Sequence, residues 1–210
     1  MELKDYSIQQ FTDELSGPSP VPGGGAVSAL LASQGAALSS MVISLTLGKK
    51  KYSEYEEELK EMQRDLLDAK QQFIEMMEED KNNFLPLSEV YKLPTNTYAE
   101  REYKEQRLEK ALLQAVNTPM DVLALSVDVM EIQEELTVKG SRLVQSDVAC
   151  GVECMRAAQR SALWNVLINT KLMKDREIIA KIEREAYMYM MKGESISQNI
   201  NAIMKKFFTE

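Results

Sequence analysis

Residues 19–25 read Ser-Pro-Val-Pro-Gly-Gly-Gly and lie within a long uncharged segment of the chain. No charged residue occurs from Leu15 to Gly48, although 28% of the 210 residues are charged. Proline fixes its own φ and restricts the residue before it, so Pro18, Pro20 and Pro22 predict an extended, non-helical lead-in. A buried helix is predicted to begin at or just after the three glycines and to end at Gly48.

Small residues recur every three or four positions along this predicted helix, and larger apolar residues fill its other sides. The small residues are Ala26, Ala29, Ala32, Ser33, Ala36 and Ser40. Such a stripe lets another helix or a flat ligand approach the backbone closely. Glycines at a helix start leave amide N–H groups unshielded, so Gly23, Gly24 and Gly25 are candidates for binding an anion or a carbonyl oxygen. A tight turn without a ligand would explain the same glycines equally well.

The uncharged segment is also long enough to cross a membrane, since about 20 apolar residues suffice. Against a membrane span, the segment contains many serines together with Gln34 and Thr46, which are costly in lipid unless paired. No second hydrophobic run exists, and the residues before the segment are net acidic, unlike a signal peptide. We therefore expect no membrane partner and a cytoplasmic protein.

The composition limits the chemistry and the partners. The formal charge of −8 argues against nucleic acid as a partner, because phosphate binding needs a basic surface. The chain contains no histidine, which removes histidine-dependent nucleophile systems and most zinc sites. Cys150 and Cys154 are four residues apart in a predicted helix, where a disulfide is poorly placed. Acid–base chemistry must then fall to carboxylates, Lys, Tyr, Cys or bound water.

A long helix is predicted from Ser53 onward, and its apolar stripe leads to an acidic residue. The stripe comprises Tyr55, Leu59, Met62, Leu66, Ala69, Phe73 and Met76, and continuing its spacing reaches Asp80 and then Phe84. Burying a charge without a partner is costly, so an acid on such a stripe is either paired or kept for chemistry with a raised pKa. Alternatively the helix has already ended there, since Pro86 follows closely.

The remaining segments also predict helices. Ser7 is a candidate N-cap for a short amphipathic helix, and Thr97 with Glu100 has the form of a capping box. Thr118 and Pro119 predict the start of another helix. The last third is predicted to form two helices that separate near Gly193. We find no strand pattern or repeat, so the chain is predicted to be all-α, a bundle of long antiparallel helices around the buried small-residue helix.

A second polar feature lies in the helix that Ser146 and Asp147 are predicted to cap. Asn165 and Asn169 are four residues apart on one face of this helix and are surrounded by apolar bulk. Buried amides need hydrogen-bonding partners, which a polar heterocycle would supply. A structural hydrogen bond between helices would satisfy them as well.

These residues resemble the cyclodeaminase/cyclohydrolase family of folate one-carbon enzymes. The resemblance is carried by the Pro-Gly-Gly-Gly block, the Leu-Thr-Leu-Gly-Lys-Lys run ending at Lys50, and Asp80 with Phe84. It continues through Thr118-Pro119, Ser146-Asp147 and the segment from Asn165 to Asn169, and so spans nearly the whole chain. Asn83 departs from the family pattern, which often has alanine there. The resemblance implies an all-helical fold, a homodimer, no metal or prosthetic group, and a tetrahydrofolate derivative as the substrate.

Both reactions of the family pass through 5,10-methenyltetrahydrofolate, so the predicted roles follow from its chemistry. We expect Asp80 to be the acid–base group and Asp147 to orient water or substrate. Asn165 and Asn169 would bind the pterin or the tetrahedral intermediate, and Gly23–Gly25 and Lys49 would hold carbonyl or glutamate groups. Ser146 is a further candidate for substrate binding. Lys49 also fits ordinary helix C-terminal chemistry, since it follows Gly48.

The expected function is that of a methenyltetrahydrofolate cyclohydrolase formed by residues 1–210 as a single domain. A formiminotetrahydrofolate cyclodeaminase is the alternative, disfavoured because the chain carries no transferase domain to supply its substrate. A third interpretation is a non-catalytic helical adaptor that uses the small-residue helix only for dimerisation. This adaptor interpretation predicts that the candidate residues do not come together in one place.

Overall fold

The computed structural model describes residues 1–209, which form long helices and contain no strand. The α-helices are α1 (Ile8–Leu15), α2 (Gly24–Ser44), α3 (Glu56–Tyr91), α4 (Tyr98–Lys139), α5 (Gln145–Thr170) and α6 (Arg176–Thr209). Short 3-10 turns occupy Leu3–Asp5, Lys50–Tyr55 and Arg142–Val144. The predicted all-α fold class is confirmed. The N-cap predicted at Ser7 is confirmed and forms a capping box with Gln10, and the capping box predicted at Thr97 with Glu100 is also confirmed.

Helix α2 lies along α3, α4 and α5, and its small residues allow this close packing. Ala26, Ala29, Ala32 and Ala36 are completely buried. Gly35 lies so close to α5 that an added Cβ would be 2.8 Å from the Gly151 carbonyl oxygen. By length and composition α2 could cross a membrane, but most of it is buried inside the bundle. Helix packing is therefore sufficient to explain its uncharged sequence.

Neighbouring helices run antiparallel, as the contacts between α2 and α5 show. Gly24 at the start of α2 faces Asn165 near the end of α5, whereas Gly35 faces Gly151 in its first half. The same order holds for α3 and α4, because Lys139 pairs with Glu58 and Asn83 bonds to Thr118. At each end of the bundle, the start of one helix therefore lies beside the end of its neighbour.

Three predicted helix boundaries are wrong because tertiary packing overrides the local signal. Helix α4 runs unbroken through Pro119, which is buried together with Thr118. Helix α6 runs unbroken through Gly193, where the missing side chain makes room for the buried Gln159; an added Cβ would be 2.0 Å from its Oε1 atom. Helix α5 begins at Gln145 rather than after a Ser146–Asp147 cap, because a 3-10 turn leads directly into it.

Two boundaries near α2 and α3 also differ from expectation. Helix α2 ends at Ser44, and the chain then turns as far as Gly48, whose φ of +76° favours glycine. Helix α3 does not end before Asp80 but continues through Pro86 to Tyr91. Asp80 therefore lies within a continuous helix, and the alternative of a frayed helix end is wrong.

The apolar side chains form two separate clusters. The main core joins α2 to all its neighbours and includes Phe73, Met76 and Met77 from α3. A smaller cluster, here called the tip core, lies beyond the start of α2 where α3, α4 and the chain after α5 meet; it contains Leu87, Val90, Ala111, Leu112, Ala115 and Met173. Along α3, Asp80 falls between Met77 of the main core and Phe84, which packs against the tip core.

Candidate active site

The candidate site begins at the N-terminus of α2, where the three glycines enter the helix. Gly23 is the N-cap residue, and no side chain caps this end. The first amides of a helix have no hydrogen-bonding partner within the helix. Their unshielded N–H groups and the positive end of the helix dipole therefore face the neighbouring side chain or ligand. The glycine loop is therefore well suited to hold a negatively charged or carbonyl oxygen.

Asp80 on α3 occupies this position. A Cβ built on Gly25 would lie 1.9 Å from Asp80 Oδ1, so the carboxyl group fills the space that any other residue at position 25 would need. The N–H of Ala26 donates a hydrogen bond to the carboxyl group. Gly25 is thus required for the close approach of Asp80, and its role is steric rather than a matter of backbone φ.

Burial raises the pKa of Asp80 to about 6, and the hydrogen bond from Ala26 only partly opposes the rise. Burial acts in this direction because it removes water from the charged form. A carboxyl group with such a pKa can give or accept a proton near neutral pH, as a general acid or base must.

Asn165 of α5 lies beside the glycines, and Asn169 lies one helical turn further along α5. The Asn165 side chain packs against Gly24, because an added Cβ there would lie 3.4 Å from Asn165 Nδ2. Asn165 Nδ2 donates to the Ser161 carbonyl oxygen at 2.8 Å, and Asn169 Nδ2 donates to the Asn165 carbonyl oxygen at 2.7 Å. Neither bond joins two helices, so the structural helix–helix bond considered from sequence is not formed. The carbonyl oxygens of both side chains remain available for a ligand.

A chain of hydrogen bonds lies one helical turn from Asp80. Asn83 Nδ2 donates to Thr118 Oγ1 at 2.9 Å, and Gln114 Nε2 donates to Asn83 Oδ1 at 3.1 Å. Positions three apart on a helix share a face, so this chain fixes α3 against α4 next to Asp80. The sequence contains no signal for the role of Gln114, and it assigned Thr118 to a helix start that is not formed. The role of Asn83 could have been inferred, because Asn83 follows Asp80 by three residues and so shares its helix face.

The other predicted site residues lie at the opposite end of the chain's bundle. Lys49 follows α2, where its Nζ donates to Ser141 Oγ at 2.9 Å. Ser146 and Asp147 are in the first turn of α5. Asp147 is separated from Asn165 by 18 helical residues, which corresponds to about 27 Å. Within one chain, then, Asp80, Asn165 and the glycines come together, whereas Lys49, Ser146 and Asp147 do not join them.

The grouped residues provide an acid–base carboxyl group, exposed helix amides and amide oxygens in one place. Residues 1–209 contain no group of three or more Cys, Asp or Glu side chains arranged to hold a metal ion. The expectation that no metal or prosthetic group takes part remains a prediction.

A sequence profile of the formiminotransferase-cyclodeaminase family matches residues 7–188. The chain belongs to this family. Among members of the formiminotransferase-cyclodeaminase family, it is 31% identical over 199 residues to the methenyltetrahydrofolate cyclohydrolase of Methylorubrum extorquens, covering 95% of this chain and 96% of that protein. The family resemblance found in the sequence is thereby confirmed.

Some relatives are longer than this chain, and others have a similar length. The chain is 31% identical over 173 residues to the formimidoyltransferase-cyclodeaminase of Mus musculus, a match that covers 82% of this chain but 32% of the mouse protein. The structure resembles that of formiminotetrahydrofolate cyclodeaminase from Thermotoga maritima with a TM-score of 0.89 and 25% identity, covering 99% of this chain and 100% of that one. The fold of this chain is thus that of a protein named formiminotetrahydrofolate cyclodeaminase.

Proposed function

We propose that this protein hydrolyses 5,10-methenyltetrahydrofolate to 10-formyltetrahydrofolate. The observation that carries the proposal is the half-buried Asp80, held against Gly25 at the start of α2 with a pKa of about 6. The near-complete match in both directions to a methenyltetrahydrofolate cyclohydrolase supports the same reaction.

The reaction requires one group that both takes and returns a proton. The substrate is an amidinium-like cation whose bridging carbon is electrophilic. Asp80, as a carboxylate, accepts a proton from water as the water oxygen bonds to that carbon. The protonated Asp80 then gives this proton to N5 as the bond between carbon and N5 breaks. The remaining hydroxyl proton passes to solvent, which leaves the formyl group on N10.

The surrounding residues favour this sequence of steps. The Asp80 anion also stabilises the cationic substrate before attack. We expect the side-chain oxygens of Asn165 and Asn169 to accept hydrogen bonds from the pterin ring or the hydroxyl of the intermediate. We expect the free amides of Gly24 and Gly25 to donate to a carbonyl oxygen of the substrate.

The alternative activity is that of a formiminotetrahydrofolate cyclodeaminase, which would release ammonia. The structural similarity to the Thermotoga maritima protein of that name favours it. In that reaction N10 attacks the formimino carbon, and a protonated Asp80 would assist the departure of ammonia. The adaptor interpretation is less well supported, because Asp80, Asn165 and the glycines do come together.

The proposal is tested by following the decay of methenyltetrahydrofolate absorbance with purified protein, corrected for spontaneous hydrolysis. Acceleration that saturates with substrate supports the cyclohydrolase. No acceleration, together with ammonia release from formiminotetrahydrofolate, would replace it with the cyclodeaminase. Failure of both assays would remove the enzymatic proposal.

The pH dependence of the hydrolysis provides a further prediction. A base must be deprotonated, and the pKa of Asp80 is about 6. We therefore expect kcat/KM to rise about tenfold per pH unit below pH 6 and to level off above it. Stopped-flow measurement between pH 5 and pH 8 tests this. A profile that falls above pH 6 would instead make the protonated Asp80 the active form.

We further propose that the protein acts in the cytoplasm as a homodimer. The cysteines are not joined in a disulfide, which fits a reducing compartment. Large apolar side chains are exposed along α2 and α5, among them Met41, Trp164 and Ile168, and they support association with a second copy.

A further inference from the structure

The segment of α3 that carries Asp80 has no buried side chain of its own. Every residue in the range 78–83 is half-buried or exposed. Met77 before this segment is buried in the main core, and Phe84 after it packs against the tip core. Apolar packing therefore fixes α3 on both sides of the segment but not within it, and polar contacts are left to hold Asp80 in place.

A proline weakens each of the two helices that meet beside this segment. Pro86 lies within α3, and Pro119 lies within α4. Proline has no N–H group, so the carbonyl oxygens of Asn82 and Ala115, four residues earlier, lose their usual helix partner. Helices kink most often at such positions, so α3 and α4 benefit here from a direct link between them.

Asn83 provides this link through both ends of its side-chain amide. Its Nδ2 atom donates to Thr118 Oγ1 at 2.9 Å, and its Oδ1 atom accepts from Gln114 Nε2 at 3.1 Å. An amide that is bonded at both ends has a fixed orientation. We call Asn83, Gln114 and Thr118 the Asn83 network. It joins the two helices at the level where each is weakened by its proline.

We propose that Asn83 is a positioning residue for Asp80. The two residues are three positions apart and share a face of α3. By holding this part of α3 on α4, the Asn83 network keeps the Asp80 carboxyl group against Gly25 and in hydrogen-bonding contact with the Ala26 N–H. Asn83 contacts no reacting atom in the proposed reaction and acts only through Asp80. The catalytic consequence of this inference rests on the proposed function.

Asn83→Ala should lower kcat for the hydrolysis by about 10- to 100-fold and change KM by less than about threefold. A small misplacement of a catalytic group costs rate on this scale. The groups expected to bind the substrate, Asn165 and the glycines, are unchanged, so KM should hold. Asn82→Ala removes the exposed amide of the preceding residue and is the matched control, which should keep the wild-type kcat. An unchanged kcat in Asn83→Ala would overturn the proposal.

Two substitutions of the buried Thr118 separate its hydrogen bond from its packing. Thr118→Ser keeps a hydroxyl group and should retain most of the wild-type kcat. Thr118→Val has nearly the same shape but leaves Asn83 Nδ2 without an acceptor, so it should lower kcat as Asn83→Ala does. Equal kcat values for the two variants would show that this hydrogen bond does not position Asp80.

A double-mutant cycle shows whether Asn83 acts through Asp80. In an Asp80→Asn background, Asn83→Ala should lower the residual kcat by less than about twofold, because no carboxyl group remains to be positioned. The same fold loss in both backgrounds would show that Asn83 acts independently of Asp80 and would overturn the proposal.

Carbon-13 NMR titration of the aspartate carboxyl groups tests the positioning without any substrate. The Asp80 signal is identified by its absence in Asp80→Asn. The pKa of Asp80 is about 6 chiefly because of burial. Loosening α3 admits water to the carboxyl group, so Asn83→Ala should lower this pKa toward 3.8 by at least about half a unit. An unchanged pKa would contradict the proposal.

Gln114→Ala removes only one of the two bonds to Asn83 and should lower the pKa of Asp80 by a smaller amount. This variant keeps the titration available if Asn83→Ala does not fold, and no shift in it would then overturn the proposal. If the wild-type protein hydrolyses no folate, the proposed function fails by itself, while the titration still tests the Asn83 network.

Discussion

Asp80→Asn should lower kcat/KM for 5,10-methenyltetrahydrofolate by about 10²- to 10⁴-fold, the usual contribution of a general acid–base group. Asparagine has nearly the same shape but cannot take a proton from water. Initial rates of absorbance decay measure the loss. Glu79→Gln, which neutralises the exposed carboxylate of the preceding residue, is the control and should keep full activity. Near-normal activity of Asp80→Asn would remove Asp80 from the mechanism.

The same substitution should make the protein more stable at neutral pH. The pKa of Asp80 rises from 3.8 to about 6 on folding, so the ionised carboxylate disfavours the folded state. This cost is absent below about pH 4, grows between pH 4 and pH 6, and reaches about 3 kcal/mol above pH 6. Urea unfolding should therefore show a gain of about 1–3 kcal/mol for Asp80→Asn at pH 7.5 and almost none at pH 4. A loss of stability at pH 7.5 would contradict the burial argument.

Gly25→Ala should lower activity by at least about 100-fold, because the added methyl group would displace the carboxyl group of Asp80. The Cβ atom would lie 1.9 Å from Asp80 Oδ1, too close for any real contact. Gly23→Ala should be much milder, since its nearest atom would be the Pro20 carbonyl oxygen at 3.5 Å. Steady-state kinetics of both variants measure the difference.

A double-mutant cycle separates the steric effect from other consequences of the alanine. Gly25→Ala should destabilise the wild-type chain but have little effect on stability in an Asp80→Ala background, where the carboxyl group is absent. Equal destabilisation in both backgrounds would show that the methyl group collides with something other than Asp80.

The features that sequence could predict were those set by local rules. The glycines mark the start of α2, and the apolar stripe of α3 leads to Asp80 because helical spacing holds whatever the neighbours are. The helix boundaries predicted at Pro119 and Gly193 were wrong, because the effect of these two residues depends on the helices packed around them. A proline costs about 3 kcal/mol in an isolated helix, yet burial of α4 on its neighbours keeps it continuous.

The candidate site shows the same limit. Asp80 could be singled out as an acid on an apolar stripe, and Asn165 as an amide in an apolar helix. That Gly25 lies directly beneath Asp80, or that Gln114 reaches Asn83, follows from contacts between residues far apart in the chain. The position of Asp147 at the far end of the bundle depends on helix direction, which no local pattern contains.

The main core and the tip core meet at a boundary that crosses the helix bundle. On α3 this boundary lies between Met77 and Phe84 and includes Asp80. On α6, the half-buried Ile182 packs against both clusters. Small clusters open more readily than large ones, so we expect amide hydrogen exchange to be faster in the tip core than in the main core. Asp80 therefore lies at the boundary between a part of the bundle that is expected to open locally and a part that is expected to stay closed.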